Sequence, residues 1–308
     1  MYHGDYTTIN AAIAAAAPGS RILIRPGVYD EGLVIDKPLE IVGDGEIGGV
    51  VIRASGKHAI IFKTVKGKIS NILIRQNGGG DWFGVDISQG CLELEGCDIT
   101  SDGLACVGVH GNAYPKIISN KIYNSKDCGI HVYENGQGVI EDNDIYGNAH
   151  AGVAINGGGS PTLKRNKIHD GKDAGIIVYE NGQGVIEDSD IYGNALPGVD
   201  IKTGGNPTLR RNKIHDGKSA GIYVYENGQG VIEDNDIYGN SFSGVVITKG
   251  ANLNIKHNRI NKNAYAVQVQ ESGAGTIEDN DLRENRLGPW YIFEDSKSLV
   301  KRARNQEK

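Results

Sequence analysis

Asp86, His110 and His131 are the residues of this chain best suited to proton chemistry, because a carboxylate can orient an imidazole that titrates near neutral pH. The same three side chains would also serve a divalent cation. A second set is aromatic: Tyr133, Tyr179 and Tyr225 recur every 46 residues, with Asp200, Lys202 and Tyr223 between them. Spaced rings with interleaved polar groups fit a peptide or a glycan equally well. The remaining chemistry-bearing residues say less. His169 and His215 are also 46 apart, and His3, His58 and His150 stand alone. Cys91, Cys97, Cys106 and Cys128 form no C-x-x-C pair and read as reduced, small apolar residues, so no metal site is expected from them. Gly157, Gly158 and Gly159 precede a strand rather than a helix, which excludes a phosphate cradle.

What must position these groups is a repeat. GVIEDNDIYGN at Gly138 returns at Gly184, Gly230 and, as GTIEDNDLREN, at Gly275. SPTLKRNKIHDGK at Ser160 and NPTLRRNKIHDGK at Asn206 share its N-x-I core, so the true unit is 23 residues. Its marker falls at Asn120, Asn143, Asn166, Ser189, Asn212, Asn235, Asn258 and Asn280. A second marker, Gly before an alternating apolar pair, runs from Gly129 to Gly244 at the same step. Each unit holds short strands separated by Gly/Asn turns and has no room for a helix, which predicts an all-β, single-stranded parallel β-helix with each unit stacked ~4.8 Å above the last.

Stacking brings equivalent side chains together, and the charges follow suit. Glu141, Lys164, Glu187, Arg210, Glu233, Lys256 and Glu278 alternate in sign, as do Asp142, Arg165, Asp188, Arg211, Asp234, His257 and Asp279. A third column runs Asp98, Lys121, Asp144, Lys167, Asp190, Lys213, Asp236, Arg259 and Asp281. Such ladders predict ion pairs between coils, and the Asn markers predict an inward amide ladder. The G-[IV]-x-[IV] strands point x outward. That column is expected to read Asp86, His110, His131, Ala154, Ile177, Asp200, Tyr223, Val246, Gln268, and its neighbour Ser88, Asn112, Tyr133, Asn156, Tyr179, Lys202, Tyr225, Thr248, Gln270.

Residues 1–20 are expected to form a capping segment with a short helix over Thr7 to Ala17, N-capped by Thr7 or Thr8 and stopped at Pro18-Gly19. The β-helix then occupies 21–285, and 286–308 form a C-terminal cap that ends in a frayed tail from Lys301. Composition agrees: Gly fills 45 of 308 positions, whereas Phe, Met and Trp are scarce. A net charge of −6 without a basic patch argues against nucleic acid as a partner. The lack of a long apolar run or leader pattern argues against a membrane and for a cytoplasmic location.

Segments such as NPTLRRNKIHDGKSAGIYVYENGQGVIEDNDIYGN (Asn206 to Asn240) resemble the CASH-type β-helical repeats of the animal F-box-only substrate receptors, from about Lys116 to Glu284. That resemblance implies a right-handed coil and a protein-recognition surface. No F-box or Cys/His-rich finger accompanies it, so ubiquitin-ligase activity does not carry over. Thr8 to Gly45 is more loosely similar to the opening coil of the pectin-lyase-like superfamily of lyases, hydrolases and epimerases, without an Asp-Asp doublet or Gly-His-Gly. Two expectations follow. One is a non-catalytic recognition scaffold without a cofactor, binding a protein segment or glycan through the tyrosine face. The other is a polysaccharide enzyme using Asp86, His110 and His131, with a divalent cation only in that case.

Overall fold

Alternation of apolar and polar residues within three-residue strands, interrupted by residues that accept left-handed backbone, gives a narrow coil. In one unit the strands are Ile130–Val132, Val139–Glu141 and Asp144–Tyr146. Glu134 and Asn135, at φ 46° and 64°, turn the chain between the first two, and Asp142, at φ 56°, turns it before the third. The computed structural model describes residues 5–308, so His3 lies outside the described residues. It is a right-handed parallel solenoid of about 12 coils with one short N-terminal helix.

Every strand pairs in parallel with its counterpart one coil away, in unbroken register through the repeats: Ile130 beside Val153, Val153 beside Ile176, Ile176 beside Val199. The marker glycines make this spacing feasible. A Cβ on Gly129 would meet the Gly152 carbonyl at 2.6 Å, and one on Gly175 the Gly198 carbonyl at 2.6 Å. The bore is filled by stacked aliphatics such as Ile122, Ile145, Ile168, Ile191 and Ile214, all fully buried. So thin a core has little space for aromatic rings.

The marker asparagines form the expected ladder. Each side-chain oxygen accepts the backbone N–H of its counterpart in the preceding coil, at 2.9 to 3.0 Å for Asn143, Asn166, Asn212, Asn235, Asn258 and Asn280 and 3.2 Å at Ser189. A second ladder was not foreseen: Asn148, Asn194, Asn240, Asn263 and Asn285 accept in the same way from Ser125, Gly171, Gly217, Asn240 and Asn263. Its signal was present in the recurring Y-G-N.

Two charge columns pair at several of the expected rungs, Arg210 with Glu187 at 2.8 Å, Lys256 with Glu233 at 3.0 Å and Arg211 with Asp188 at 2.8 Å, and Arg211 also crosses between the columns to Glu187 at 2.7 Å. The third keeps its register but pairs differently. Asp144 and Asp190 each lie 2.9 Å from the Nε2 of His169 and His215, two positions along the next coil, because those rings stack between Tyr146, Tyr192 and Tyr238 and hold their nitrogens toward the carboxylates.

At the N-terminal end the helix spans Ile9–Ala15, capped by the Thr8 hydroxyl accepting from the Ala11 N–H, and buries Ile9 and Ile13 against the first coil. The C-terminal tail corrects the expectation of fraying. Val300–Ala303 pairs with Gly275–Glu278, Arg304 bonds Asp279, and Asn305 extends the asparagine ladder to Asn280. After an insertion around the short 3-10 turn Glu294–Leu299, the same vertical contacts resume.

Candidate functional site

The outward row of strands carries both candidate groups. Val85 pairs with Val107 and Val107 with Ile130, which sets Asp86 beside Gly108 and Gly108 beside His131. His110 therefore does not stand in the Asp86 column as expected. The coil spacing departs from the repeat here, and pairing shifts between Val109 and Asn112. His110 instead reaches back diagonally, its Nε2 2.9 Å from Asp86 Oδ1 and its Nδ1 3.8 Å from Glu134 Oε2. Gly108 permits this: it carries no side chain above Asp86, and a Cβ there would press on the Phe83 ring at 3.0 Å. The Asp86 hydrogen bond, followed by the charges of Asp86 and Glu134, holds the His110 imidazole above its usual range despite burial.

The expected trio does not assemble. His131 turns away, its Nε2 2.8 Å from Asn156 Oδ1. Tyr133 lies against both imidazoles, 4.9 Å from the His110 ring and 4.6 Å from the His131 ring. Burial, helped by Asp86 and Glu134, pushes its phenol up to about 12. His58, which looked isolated in the sequence, joins this cluster. Its Nδ1 accepts the Phe83 N–H at 3.0 Å, Trp82 meets it edge-on, and Phe83 stacks on it. Burial lowers its pKa, and it feels the charges of both Asp86 and His110. With Nδ1 accepting, the ring proton sits on Nε2. Only the register of the irregular coils reveals His58; no periodic signal marks it. Among the described residues no three of His, Cys, Asp and Glu gather to hold a metal ion.

Farther along the row, five of the six expected ligand-binding residues meet. Ile177, Asp200 and Tyr223 are register partners on Ile176–Val178, Val199–Ile201 and Ile222–Val224, and Tyr179, Lys202 and Tyr225 follow two residues on. The Lys202 ammonium lies 5.9 Å from the Tyr179 ring centre and 5.6 Å from that of Tyr225, while Lys249 approaches Tyr225 from the next coil at 5.7 Å. Tyr223 meets Tyr225 edge-on at 5.3 Å. Tyr133, the sixth, belongs with the histidines. Beneath these rings, Asp200 Oδ1 is buried without a hydrogen-bond partner. Burial pushes its carboxyl up to about 6, with Lys202 opposing and Asp173 and Glu226 adding. Phe83, Ala105, Cys128, Ala151 and Ala154, with Ile177 and Tyr133 against them, form an apolar floor between the two groups.

Comparison with known proteins follows the architecture. The family model described as "Right handed beta helix region" matches residues 48–175 and 151–303. A probable pectinesterase/pectinesterase inhibitor of Arabidopsis thaliana is 38% identical over 91 residues, covering 27% of this chain and 16% of that protein; the chain thus matches about a sixth of that relative's length. Among solved structures, the A-module of an Azotobacter vinelandii mannuronan C-5 epimerase superposes with a TM-score of 0.69 at 18% identity, covering 92% of each chain. The catalytic unit of an α-1,3-glucanase from Streptomyces thermodiastaticus gives a TM-score of 0.73 at 13% identity, covering 96% of this chain and 64% of that one. At such identities the likeness is one of fold.

Proposed function

This chain belongs to the right handed beta helix family, and from that premise we propose that it is a recognition scaffold binding an extended glycan along its outward row of strands. The observation that carries the reading is the group around Lys202: an ammonium held between the rings of Tyr179 and Tyr225, above a buried Asp200 oxygen with no partner. Rings offer flat faces to sugar C–H groups, and the Lys202 ammonium and the exposed carboxylates of Glu180 and Glu226 offer hydrogen bonds to hydroxyls. Tyr133, Tyr179 and Tyr225 recur every second coil, ~10 Å apart, so an extended polymer can meet them in series. The glycan is preferred to a protein segment because the structural neighbours named above act on polysaccharides.

A second reading is favoured by one contact, His110 on Asp86 at 2.9 Å. A carboxylate-held imidazole can exchange protons with a bound polymer, giving an acid–base polysaccharide enzyme without His131 in the role first expected of it. The test is a glycan array beside a pull-down, followed by a turnover assay on bound polymers. Tyr179→Ala with Tyr225→Ala should weaken binding at least about tenfold. Undiminished binding by that variant removes the scaffold reading, and turnover abolished by His110→Ala replaces it with the enzymatic one.

A further inference from the structure

Resting on the glycan-binding reading, we infer that the bound polymer is neutral, and that Asp200 with a row of rim glutamates excludes uronate-rich chains. The rim is built by the turn that follows the tyrosine column. Glu134, Glu180, Glu226 and Glu271 each adopt φ between 46° and 50°, and all four side chains are exposed along one border of the outward row. Three of the four are held by neutral donors, which leave the charge in place. Glu180 accepts from Asn156 at 3.2 Å, Glu226 from the Thr203 hydroxyl at 3.1 Å and Glu271 from the Thr248 hydroxyl at 3.2 Å, and Glu134 meets only His110, at 3.8 Å. None of the four is bridged by a lysine or arginine among the described ion pairs. On the floor stands Asp200, its Oδ1 unpartnered.

Against these carboxylates the face sets two ammoniums, Lys202 and Lys249, both drawn onto the Tyr225 ring. A ligand bearing one carboxylate per sugar would lay a row of negative charge along a row of negative charge, and like charges brought together in a partly dry site are the usual means by which a surface rejects a near-match. A neutral sugar meets no such penalty. Its hydroxyls are donors, and the rim consists of acceptors: the exposed glutamates offer oxygens at the border, while Asp200 Oδ1, closed to contact, acts on a ligand through its charge alone.

The exclusion has a pH arm. The groups that act on Asp200 are Lys202 and Tyr225, which follow the same column, Tyr223 on the next coil, Asp173 from the flanking turn and Glu226 from the rim. Because burial holds this carboxyl up to about 6, it is an anion at pH 7.5 and mostly a neutral donor at pH 5. The floor's repulsion of a uronate therefore falls as pH falls through that value.

The test measures binding of the full chain to two sets of oligosaccharides in low salt, at pH 7.5 and pH 5. The neutral set is α-1,3- and β-1,4-linked glucose oligomers with mannan and xylan fragments; the acidic set is oligogalacturonides and mannuronate oligomers. The neutral set should bind about tenfold tighter than the acidic set at pH 7.5, with the gap narrowing at pH 5. Asp200→Asn should shift the ratio toward the acidic set about fivefold at pH 7.5 and leave it unchanged at pH 5, and Glu226→Gln, a rim change, should move it the same way by less. Acidic oligomers bound as tightly as neutral ones at pH 7.5 would overturn the inference and leave glycan binding standing. Retention of neither set by a chain that melts cooperatively would overturn both.

Discussion

The coils before Asn120 and those after it obey different rules. After it, the three strands of a coil are three to five residues each, the register is continuous, and a side chain's neighbours are its counterparts one coil above and below. Before it, Ile60–Ser70 and Val85–Glu95 run for 11 residues, and their pairing shifts at Phe62 and Lys63. Regular stacking produces columns, and columns produce rows of like groups, the tyrosines and the rim glutamates. The irregular coils instead gather unlike groups in one place, His110 on Asp86 and against Tyr133, and His58 against Trp82. A repeat thus builds an extended face, whereas a fault in the repeat builds a compact cluster.

The comparison breaks if the two regions respond alike to losing an asparagine. Asn212 accepts from Ser189, and donates to the Ile186 carbonyl and to Asn235, all in a buried setting. Asn212→Ala should cost about 3 kcal/mol in thermal or denaturant unfolding, since it strands several buried polar groups. Asn71 donates to the carbonyls of Gly43 and Gly45 near the surface, and Asn71→Ala should cost ~1 kcal/mol. Equal losses would mean that vertical amide stacking gives the repeats no special stability.

A smaller effect tests the charge columns. Arg210 lies between Glu187 and Glu233 in register, so Arg210→Glu stacks three acids in succession. It should lower the melting temperature more than Arg210→Ala, by ~1 kcal/mol beyond the loss of the pair. The same result for both variants would remove the ladder argument.

The smallest effect sharpens the picture of the fault. Because Asp86 raises the His110 pKa on folding, the pair stabilises the chain fully below the unfolded imidazole's range and loses that contribution as pH rises through the folded value. His110→Ala should therefore cost ~1 kcal/mol more near pH 5.5 than at pH 9, where the loss of packing on Tyr133 remains. A cost independent of pH would reduce the role of His110 to packing against Tyr133.

How much was legible depended on whether the local spacing held. Asn120 to Asn280, Glu187 against Arg210, and the Tyr179, Lys202, Tyr225 column could be read because one period placed them all. The sequence puts His110 in the wrong column because Gly108, which itself pairs with Asp86 and His131, reads as the glycine before an outward strand, a place that Cys106 holds in this coil. His58 escapes the sequence because the irregular coils around it carry no period. Asp144 and Asp190 were assigned to lysines because a column records which residues are stacked; it does not record which way a side chain leans, and the ring stack turned His169 and His215 onto them. The tail from Lys301 looked frayed because an insertion separated it from the repeat whose contacts it rejoins.

By itself the sequence determined the coil, its period, its inward ladder and the outward row of tyrosines, because a solenoid's contacts lie between residues one fixed step apart and spacing is a property of sequence. Tertiary structure alone decided that His110 meets Asp86, that His131 does not, and that Asp200 is left buried without a partner. Those outcomes depend on diagonal reach, on the space above a single glycine and on how much water the neighbouring rings exclude, and none of these has a period.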